Sequence, residues 1–265
     1  MNNIENTSPK FSIITVCLND PNLEQTCESI VNQSFQDFEW IVIDGGSDRQ
    51  TQDIFEKYKY RMNYFVSEKD NGIYDAMNKG IIQAHGEWFN FMNAGDRFYD
   101  SDILKFVVGK INEVKMDDKP DIFYGDDISK KENGIFVSDL PCCIDKYFMY
   151  KATLRHQASF IVASSFKRIG IYDSSLRVCS DYKWFLCALK HGLEFRKITG
   201  CPLAIMDGNG IGSQMTHIHL EERKCVQRDF FSSDELPAFA VRLSKEKRLI
   251  AINFIASKRA ENKNH

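Results

Sequence analysis

The stretch that decides the fold is SEKDNGIYDAMNKGIIQAHGEWFNFMNAGD, from Ser67 to Asp96. Apolar residues recur at helical spacing from Ile73 to Ala84, and Gly86 then interrupts the pattern. The apolar run from Trp88 to Met92 is short enough to form a buried strand. The stretch therefore predicts a polar turn, a helix, a buried strand and a second polar turn that ends in a carboxylate.

Asp96, the last residue of that stretch, follows the buried strand almost directly. In an α/β sheet, ligands bind in the crevice beyond the carboxyl ends of the strands, where such a carboxylate lies. Aspartate is also among the preferred helix caps and turn residues. The stretch alone leaves both interpretations of Asp96 open.

Two strand and helix units precede the stretch. Phe11 to Leu18 (FSIITVCL) predicts a central strand, and Asp20-Pro21 predicts the start of a helix, with the aspartate as cap. The next strand, Trp40 to Ile43, runs into the turn at Asp44, and a third strand is expected from Asn63 to Val66. Right-handed crossovers make such strands parallel and bring their loops to one edge of the sheet.

This arrangement places Asp44 and Asp96 in one crevice. Turns like Asp44-Gly45-Gly46-Ser47 are common, so a purely structural role for Asp44 stays open. Farther along, Ser180 to Gly192 has the pattern of a helix with Asp181 in its first turn, where the helix dipole favours a negative charge. An aspartate in that position is ordinarily a cap, and this alternative also stays open.

The remaining elements are expected in a looser order. Asp102 to Val114 predicts a helix, Asp121 to Tyr124 a strand, and Asn133-Gly134 the turn of a hairpin. We divide the chain into a polar leader (1–10), a first half of alternating strands and helices (11–127), a less regular second half of the same domain (128–215) and a basic, amphipathic helical extension (216–265).

Composition excludes several classes of protein. A chain of 265 residues with 43% hydrophobic residues can bury a large core, and a net charge of -3 gives no basic footprint for nucleic acid. The eight cysteines form no CxxC pair and are expected to be reduced. Without a signal-peptide pattern or an apolar run of about 18 residues, the expected location is cytoplasmic.

The C-terminal part contains three features with alternative interpretations. The glycine-rich segment GNGIGSQ after Asp207 predicts a loop that contacts phosphate. His217 and His219 form an HxH pair without further ligands at metal-site spacing, which favours exposed or phosphate-contacting histidines. Phe239 to Lys258 mixes apolar and basic residues, so it either contacts the inner face of an anionic membrane peripherally or packs as a solvated helix.

Five stretches, in this order and spacing, resemble family-2 inverting glycosyltransferases of the GT-A fold: SIITVCLN, EWIVIDGGS, SEKDNGIYDAMNKGI, HGEWFNFMNAGD and HQASFI. The resemblance covers Phe11 to about Gly192 and is closest to bacterial enzymes that build capsular, colanic-acid or O-antigen polysaccharides. It implies an α/β fold with a mixed, mainly parallel sheet flanked by helices, an irregular acceptor-binding second half and a helical C-terminal tail.

The resemblance also implies an activity. The expected reaction moves a hexosyl or N-acetylhexosaminyl group from a nucleotide-sugar donor, by default a UDP-sugar, to a saccharide or polyprenyl-linked acceptor. By the same resemblance Asp181 is the catalytic base, Asp96 binds Mg²⁺ or Mn²⁺, and Asp44 recognises the nucleotide base. The remaining residues that the resemblance assigns to the nucleotide sugar are Thr15, Asn19, Gly45, Asp70, Lys79, Asn93, His156 and Gln157.

Asp96 is the only carboxylate of its turn, because Asn93 and Gly95 stand beside it. Hard divalent cations commonly bind through one or two carboxylates together with substrate phosphates, so a single aspartate is chemically sufficient. Because the turn has a single carboxylate, a second hypothesis stays open: a nucleotide-sugar-binding relative without transferase activity.

Rival chemistries lack their sequence patterns. The chain contains no GxxxxGK[ST] phosphate loop, no GxGxxG after the first strand and no GxSxG nucleophile elbow. A nucleotidyltransferase, the third hypothesis, would normally carry a glycine-rich basic loop where this chain has Asn19-Asp20-Pro21. The sequence leaves the donor sugar, the acceptor, the metal and the oligomeric state open.

Overall fold

The structure, a computed structural model, describes residues 8–131, 134–207 and 217–261, with side chains described as far as 248 except at 131. The strands are β1 Phe11–Cys17, β2 Phe38–Asp44, β3 Tyr64–Ser67, β4 Trp88–Phe91, β5 Arg97–Phe98, β6 Ile122–Gly125, β7 Asp127–Lys131, β8 Gly134–Val137, β9 Ser159–Val162, β10 Phe195–Ile198 and β11 Ala204–Met206. The α-helices are α1 Leu23–Val31, α2 Arg49–Tyr58, α3 Ile73–Gln83, α4 Ile103–Asn112, α5 Lys146–Lys151, α6 Ala163–Ile169, α7 Ser180–Lys190, α8 His217–Phe230 and α9 Glu235–Glu261.

A seven-stranded sheet forms the centre of the molecule in the order β10-β6-β9-β4-β1-β2-β3. Strand β1 pairs in parallel with β2 and with β4, and β2 pairs in parallel with β3. Strand β9 runs antiparallel to both β4 and β6. The expectation of a mixed, mainly parallel sheet flanked by helices is therefore confirmed. The carboxyl ends of β1, β2, β3 and β4 meet at one edge, which is where the candidate site lies.

Both faces of this sheet are covered, which explains why its strands are nearly continuous apolar runs. Along β1, Ile14 and Val16 belong to the core under α3 and α7, while Phe11 and Ile13 belong to the core under α1 and α4. Every residue of β1 is buried. Such a strand cannot slip in register without exposing large apolar side chains, so the loops at its end are held in place.

The first helix differs from the sequence-based expectation. It begins at Leu23 rather than at Pro21, and its N-cap residue, Asn22, makes no side-chain cap. The Asp20 side chain instead accepts a hydrogen bond from the Asn22 amide at 2.8 Å, which is an Asx turn. Asp20-Pro21 therefore prolongs the loop after β1 instead of starting the helix.

A smaller sheet in the order β5-β11-β7-β8 lies beside the main one. Its β7 and β8 strands pair antiparallel, as the predicted hairpin requires, although residue 133 of the expected turn lies outside the described residues. The glycine-rich segment after Asp207 also lies outside them. Among the helices of the described ranges, none is long and apolar enough to cross a membrane.

Candidate active site

The turn after β4 supplies the predicted metal ligand. Asp96 is half-buried, and its Oδ2 accepts a hydrogen bond from Gln157 Nε2 at 2.6 Å. Its Oδ1 lies 3.3 Å from the amide nitrogen of Asp207. Burial, reinforced by the nearby charge of Asp20, raises the pKa of Asp96 to about 6 despite the hydrogen bond from Gln157. The structure thus holds a carboxylate whose negative charge is poorly compensated by its protein neighbours.

The short 3₁₀ turn His156–Ala158 supplies two more predicted residues. The side-chain amide of Asn90, which is fully buried in β4, donates to the carbonyl oxygens of Gln157 and Ser159 at 3.0 Å each. This anchor fixes the turn against the end of β4. His156 and Gln157 are therefore both held beside the β4 turn, Gln157 against Asp96 and His156 against Asn93.

Asp181 lies in the first turn of α7, and it does not act as the helix cap. The N-cap residue is Cys179, without a side-chain cap, and the backbone amide that donates to the Asp181 side chain is that of Tyr182, at 2.8 Å. Its Oδ2 lies 3.2 Å from His156 Nδ1, and its Oδ1 lies 2.9 Å from the hydroxyl of Tyr74. The contacts of its side chain are thus mainly tertiary, which disfavours the interpretation of Asp181 as a cap.

These contacts also set the ionisation of Asp181. Burial acts to raise the pKa of this carboxyl, but the hydrogen bond and charge of His156, together with Tyr74 and the Tyr182 amide, outweigh burial and leave the pKa below its ordinary value. Asp181 is therefore ionised at neutral pH. Its side chain retains 16% exposure, so the carboxylate is still open to a small group from the cleft.

His156 connects the two parts of the site. Because a carboxylate only accepts hydrogen bonds, the ring nitrogen Nδ1 carries a proton toward Asp181. The other ring nitrogen, Nε2, lies 3.0 Å from the side-chain nitrogen of Asn93. One continuous series of hydrogen bonds therefore runs from Tyr74 through Asp181 and His156 to Asn93.

Asp44, the predicted base-recognition residue, lies at the end of β2 and is fully buried. Its carboxylate accepts from the Ser47 amide at 3.0 Å, from Gln52 Nε2 at 2.6 Å, from the Ser67 hydroxyl at 2.6 Å and from the Ser47 hydroxyl. These donors come from the β2 turn, α2 and β3. Asp44 therefore stabilises the turns at the ends of two strands, β2 and β3.

The other predicted nucleotide-binding residues are spread over the same sheet edge. Asn19, with a left-handed φ of 52°, donates its amide to Ser47 Oγ at 2.8 Å and accepts from the Asp48 amide at 2.7 Å, so it joins the loops after β1 and β2. Thr15 is fully buried within β1, and its hydroxyl accepts from the indole of Trp40 at 3.0 Å. Thr15 is thus not among the side chains exposed at the edge.

Gly45, Asp70 and Lys79 lie between the β2 turn and α3. A Cβ atom on Gly45 would lie 2.6 Å from Asp70 Oδ2, so the glycine allows the Asp70 carboxylate to approach the backbone. Lys79 is ion-paired with Glu68 at 2.7 Å and lies 3.8 Å from Asp75, its i,i+4 neighbour on α3. A phosphate contact by Lys79 would have to compete with these carboxylates.

Sequence reasoning missed two further residues of the site, Tyr74 and Asp207. Tyr74 lies in the first turn of α3, which follows the end of a strand. A tyrosine at the start of such a helix was the sequence signal that could have identified it as a site residue. Asp207 follows β11, accepts a hydrogen bond from the Asn22 side chain and presents its backbone amide to Asp96. Asp207 follows a strand of the second sheet, and no local sequence pattern marks it as a residue of the site.

The chemistry of the donor set decides whether a divalent cation fits at Asp96. No group of three or more His, Cys, Asp or Glu side chains suited to a metal ion occurs among the described residues. Asp96 nevertheless offers a hard oxygen ligand, and burial raises its pKa although Gln157 and His156 act to lower it. A cation that takes its remaining ligands from a diphosphate fits this set.

A model of the family described as Glycosyl transferase family 2 matches residues 12–117. A PGL/p-HBAD biosynthesis glycosyltransferase of Mycobacterium bovis is 34% identical over 183 residues, which are 66% of this chain and 68% of that protein. An uncharacterized glycosyltransferase of Mycobacterium tuberculosis is 31% identical over 217 residues, 78% of each chain. The relatives thus extend the match beyond the family model into the second half.

Solved structures show the same fold. S. aureus TarS in complex with UDP-GlcNAc superposes with a TM-score of 0.67 at 20% identity, covering 83% of this chain and 65% of the TarS chain. The mannosyltransferase PcManGT from Pyrobaculum calidifontis, in complex with GDP-Man and Mn²⁺, gives a TM-score of 0.57 at 14% identity. The present chain therefore spans less than two thirds of the TarS chain, and the architecture is that of GT-A glycosyltransferases.

Proposed function

The chain belongs to glycosyl transferase family 2, and from this premise we propose that it transfers a hexosyl or N-acetylhexosaminyl group from a UDP-sugar to a saccharide or polyprenyl-linked acceptor with inversion. The observation that carries the proposal is the contact of His156 with Asp181, beside the Gln157 to Asp96 contact. A proton acceptor and an uncompensated carboxylate thus lie at one sheet edge.

Inverting transfer needs a base on the acceptor side. The acceptor hydroxyl loses its proton to Asp181 as its oxygen bonds to the anomeric carbon, while the bond from that carbon to the phosphate oxygen breaks and its electrons leave with the nucleoside diphosphate. Asp181 Oδ2 has a lone pair left beyond its contact with His156, and positioned bases of this kind contribute about 10² to 10⁴-fold. Tyr74 and His156 keep the carboxylate oriented and ionised.

On the donor side, we propose that Asp96 holds Mg²⁺ or Mn²⁺. A bound divalent cation supplies Lewis-acid stabilisation of the negative charge that develops on a leaving diphosphate. Gln157 fixes the orientation of the Asp96 carboxylate at 2.6 Å, and Asn93 leaves that carboxylate as the only acidic group of the turn. PcManGT, which has the same fold, is described with GDP-Man and Mn²⁺, and this supports the proposal by analogy.

The biological setting is also a proposal. TarS is described with UDP and with UDP-GlcNAc, which supports a UDP-sugar donor, and the mycobacterial relative is named for PGL/p-HBAD biosynthesis. We propose a role in cell-surface polysaccharide biosynthesis, as the sequence resemblance implies. Peripheral contact of the C-terminal tail with the cytoplasmic face of a membrane would bring the site to a polyprenyl-linked acceptor.

A donor screen with Asp181→Asn tests the reaction. UDP-glucose, UDP-galactose, UDP-GlcNAc and GDP-mannose are each tested with Mn²⁺ for hydrolysis and for a rise in melting temperature. The best donor should keep its thermal shift with Asp181→Asn while its turnover falls by about 10² to 10⁴-fold. Asp229→Asn, an exposed aspartate on α8, is the matched control and should leave turnover unchanged.

The outcomes separate the alternatives. Unchanged turnover of Asp181→Asn would show that Asp181 is not the base. Binding of a nucleotide sugar without hydrolysis or transfer, at any metal concentration, would identify a nucleotide-sugar-binding relative without transferase activity. The absence of a thermal shift with all four donors would contradict both hypotheses, and the formation of a nucleotide sugar from a sugar phosphate and UTP would identify a nucleotidyltransferase.

A further inference from the structure

Glu222, on α8, makes an unusual set of contacts with the backbone that precedes α7. Its Oε1 accepts a hydrogen bond from the Arg177 amide at 2.7 Å. Its Oε2 accepts from the amides of Val178 and Cys179 at 2.9 and 3.0 Å. One carboxylate thus binds three consecutive backbone amides. Hydrogen bonds from N–H groups to an ionised carboxylate are stronger than neutral ones, so this segment is held firmly.

The bound segment lies next to the proposed base. Cys179 is the N-cap residue of α7, and Asp181 is in the first turn of that helix. The peptide group between Val178 and Cys179 is held from both sides, because its N–H, from Cys179, donates to Glu222 and its carbonyl oxygen, from Val178, lies 2.7 Å from the Tyr74 hydroxyl. The same hydroxyl lies 2.9 Å from Asp181 Oδ1. The contacts therefore connect Glu222 to the carboxylate of Asp181 through one peptide and one hydroxyl.

Residues beside Glu222 fix α8 to the same region. Arg223 lies with its guanidinium 4.1 Å from the ring of Tyr182, the residue after Asp181. Its Nη2 donates to the carbonyl oxygen of Ala152 at 2.8 Å, just beyond the end of α5. Gln227 donates to the Tyr150 carbonyl at 2.9 Å and to the Tyr182 hydroxyl at 3.3 Å. Because the carbonyls of Ala152 and Tyr150 anchor α8 to α5, outside α7, Glu222 is a fixed point against which the start of α7 can be positioned.

We propose that Glu222 is a positioning residue for the proposed reaction: it holds the 177–179 segment so that Tyr74 and the first turn of α7 keep Asp181 in its productive orientation. This inference rests on the proposed role of Asp181 as the base. Glu222 itself touches neither Asp181 nor the strand ends where the donor is expected. Removing its carboxylate should therefore impair the chemical step and leave donor binding intact.

A purely structural role predicts a different pattern. If Glu222 only fastens α8 to α7, its loss lowers the melting temperature without changing turnover of the folded enzyme or its pH dependence. If it positions the base, its loss releases the 177–179 segment and displaces the first turn of α7, the contacts of Asp181 with Tyr74 and His156 lengthen, and the acid limb of kcat moves to higher pH. The other groups that bear on this limb are His156, which contacts Asp181, and Tyr172 and Cys179, which interact with its charge.

The experiment compares Glu222→Gln with Glu221→Gln in the full chain. Glu221 is the adjacent, exposed residue and pairs with Lys224, so it is a matched control for the loss of one carboxylate on α8. With the nucleotide sugar that is hydrolysed fastest, Glu222→Gln should lower kcat by about 10- to 100-fold, as expected for a misplaced catalytic group, with KM for the donor within about twofold. Glu221→Gln should match the parent enzyme.

A double substitution makes the test decisive. In an Asp181→Asn background there is no base to position, so adding Glu222→Gln should lower kcat no further. A full additional loss in that background, or an unchanged kcat and acid limb for Glu222→Gln alone, would overturn the inference. If Glu222→Gln does not fold, Glu222→Asp, which keeps the charge but is one methylene shorter, provides the same comparison. Unchanged turnover of Asp181→Asn would instead overturn the proposed function itself.

Discussion

The turns after β2 and β4 look alike in sequence, since each places an aspartate and a glycine at the end of a buried strand, but the structure uses the two aspartates differently. Asp44 is fully buried, and Ser47, Gln52 and Ser67 supply donors to its carboxylate. Asp96 is half-buried, has one short hydrogen bond from Gln157, and has a pKa raised to about 6.

At equivalent positions, the two carboxylates thus differ in how completely the protein satisfies their hydrogen bonds. A buried carboxylate with a full set of hydrogen bonds stabilises the loops that supply the donors. A carboxylate that is desolvated without sufficient donors or cations costs stability, and such a cost is typical of a site that awaits a ligand. The same comparison predicts opposite effects for the same substitution at the two positions.

The largest expected effect on stability is that of Asp44→Asn. The new amide would point its N–H₂ group at groups that now donate to the carboxylate, so that buried hydroxyl or amide hydrogens lose their acceptor. We expect the free energy of unfolding to fall by about 3 kcal/mol, measured by urea denaturation. Asp53→Asn, which removes an exposed carboxylate of the neighbouring helix α2, should leave the midpoint within error. A stable Asp44→Asn variant would show that the carboxylate is not needed for the two turns.

Asp96→Asn should have the opposite effect, in a pH-dependent manner. Between about pH 4 and pH 6 the native state holds the Asp96 proton more tightly than the unfolded chain does, so the stability of the parent protein falls as pH rises through this window. The asparagine lacks this penalty, and the buried Oε1 of Gln157, which has no hydrogen-bond partner within the described residues, can accept from it after an amide rotation. At pH 7.5 we expect the variant to be more stable by about 1 to 3 kcal/mol, with little difference near pH 4.

The same Asp96→Asn protein should lose donor turnover by about 100-fold, because it cannot hold the proposed cation. Thermal melts at pH 4, 6 and 7.5, paired with hydrolysis assays at pH 7.5, measure both effects in one preparation. Asp20→Asn serves as the comparison for the pH dependence of stability, because Asp20 raises the pKa of Asp96 only through its charge. A variant that is less stable at pH 7.5 would contradict the view that Asp96 is poorly compensated in the native state.

The first half of the fold could be predicted because its information is local. Each strand from β1 to β4 is an apolar run of the right length, and the helices between them show their spacing in sequence, so the parallel order follows from general rules of connection. Even there, the start of α1 was wrong: Asp20 prefers an Asx turn with Asn22, and the chain pattern does not distinguish that turn from a cap.

The second half could not be predicted to the same depth, because its site contacts join distant parts of the chain. Tyr74 meets Asp181 across 107 positions, and Asn93 meets His156 across 63. The antiparallel strand β9, inserted between β4 and β6, brings the His156 turn to the β4 end, and no periodicity in the sequence reports that pairing. The resemblance named Asp181 and His156, whereas their mutual hydrogen bond and the role of Tyr74 needed the structure.

The glycines of the two turns give the smallest expected effects and refine the comparison. A methyl group on Gly45 would lie 2.6 Å from Asp70 Oδ2, which is the far end of a side chain that can rotate at the expense of its hydrogen bond from the Gly72 amide. Gly95 has a φ of 89°, so Gly95→Ala is strained even without a clash, and its methyl group would also lie 3.1 Å from Asp20 Oδ2.

We therefore expect Gly45→Ala to cost about 1 kcal/mol of stability and Gly95→Ala about 2 kcal/mol, both measured by thermal denaturation at pH 7.5. Gly109→Ala is the control, since a methyl group there meets no atom within 4 Å and lies in helix α4, where alanine is favoured. If Gly45→Ala proved the costlier change, the Asp70 carboxylate would be as firmly fixed as Asp44. The β2 turn would then be rigid as a whole. The shape of the β4 turn would depend less on the backbone conformation of Gly95 than the φ of that residue indicates.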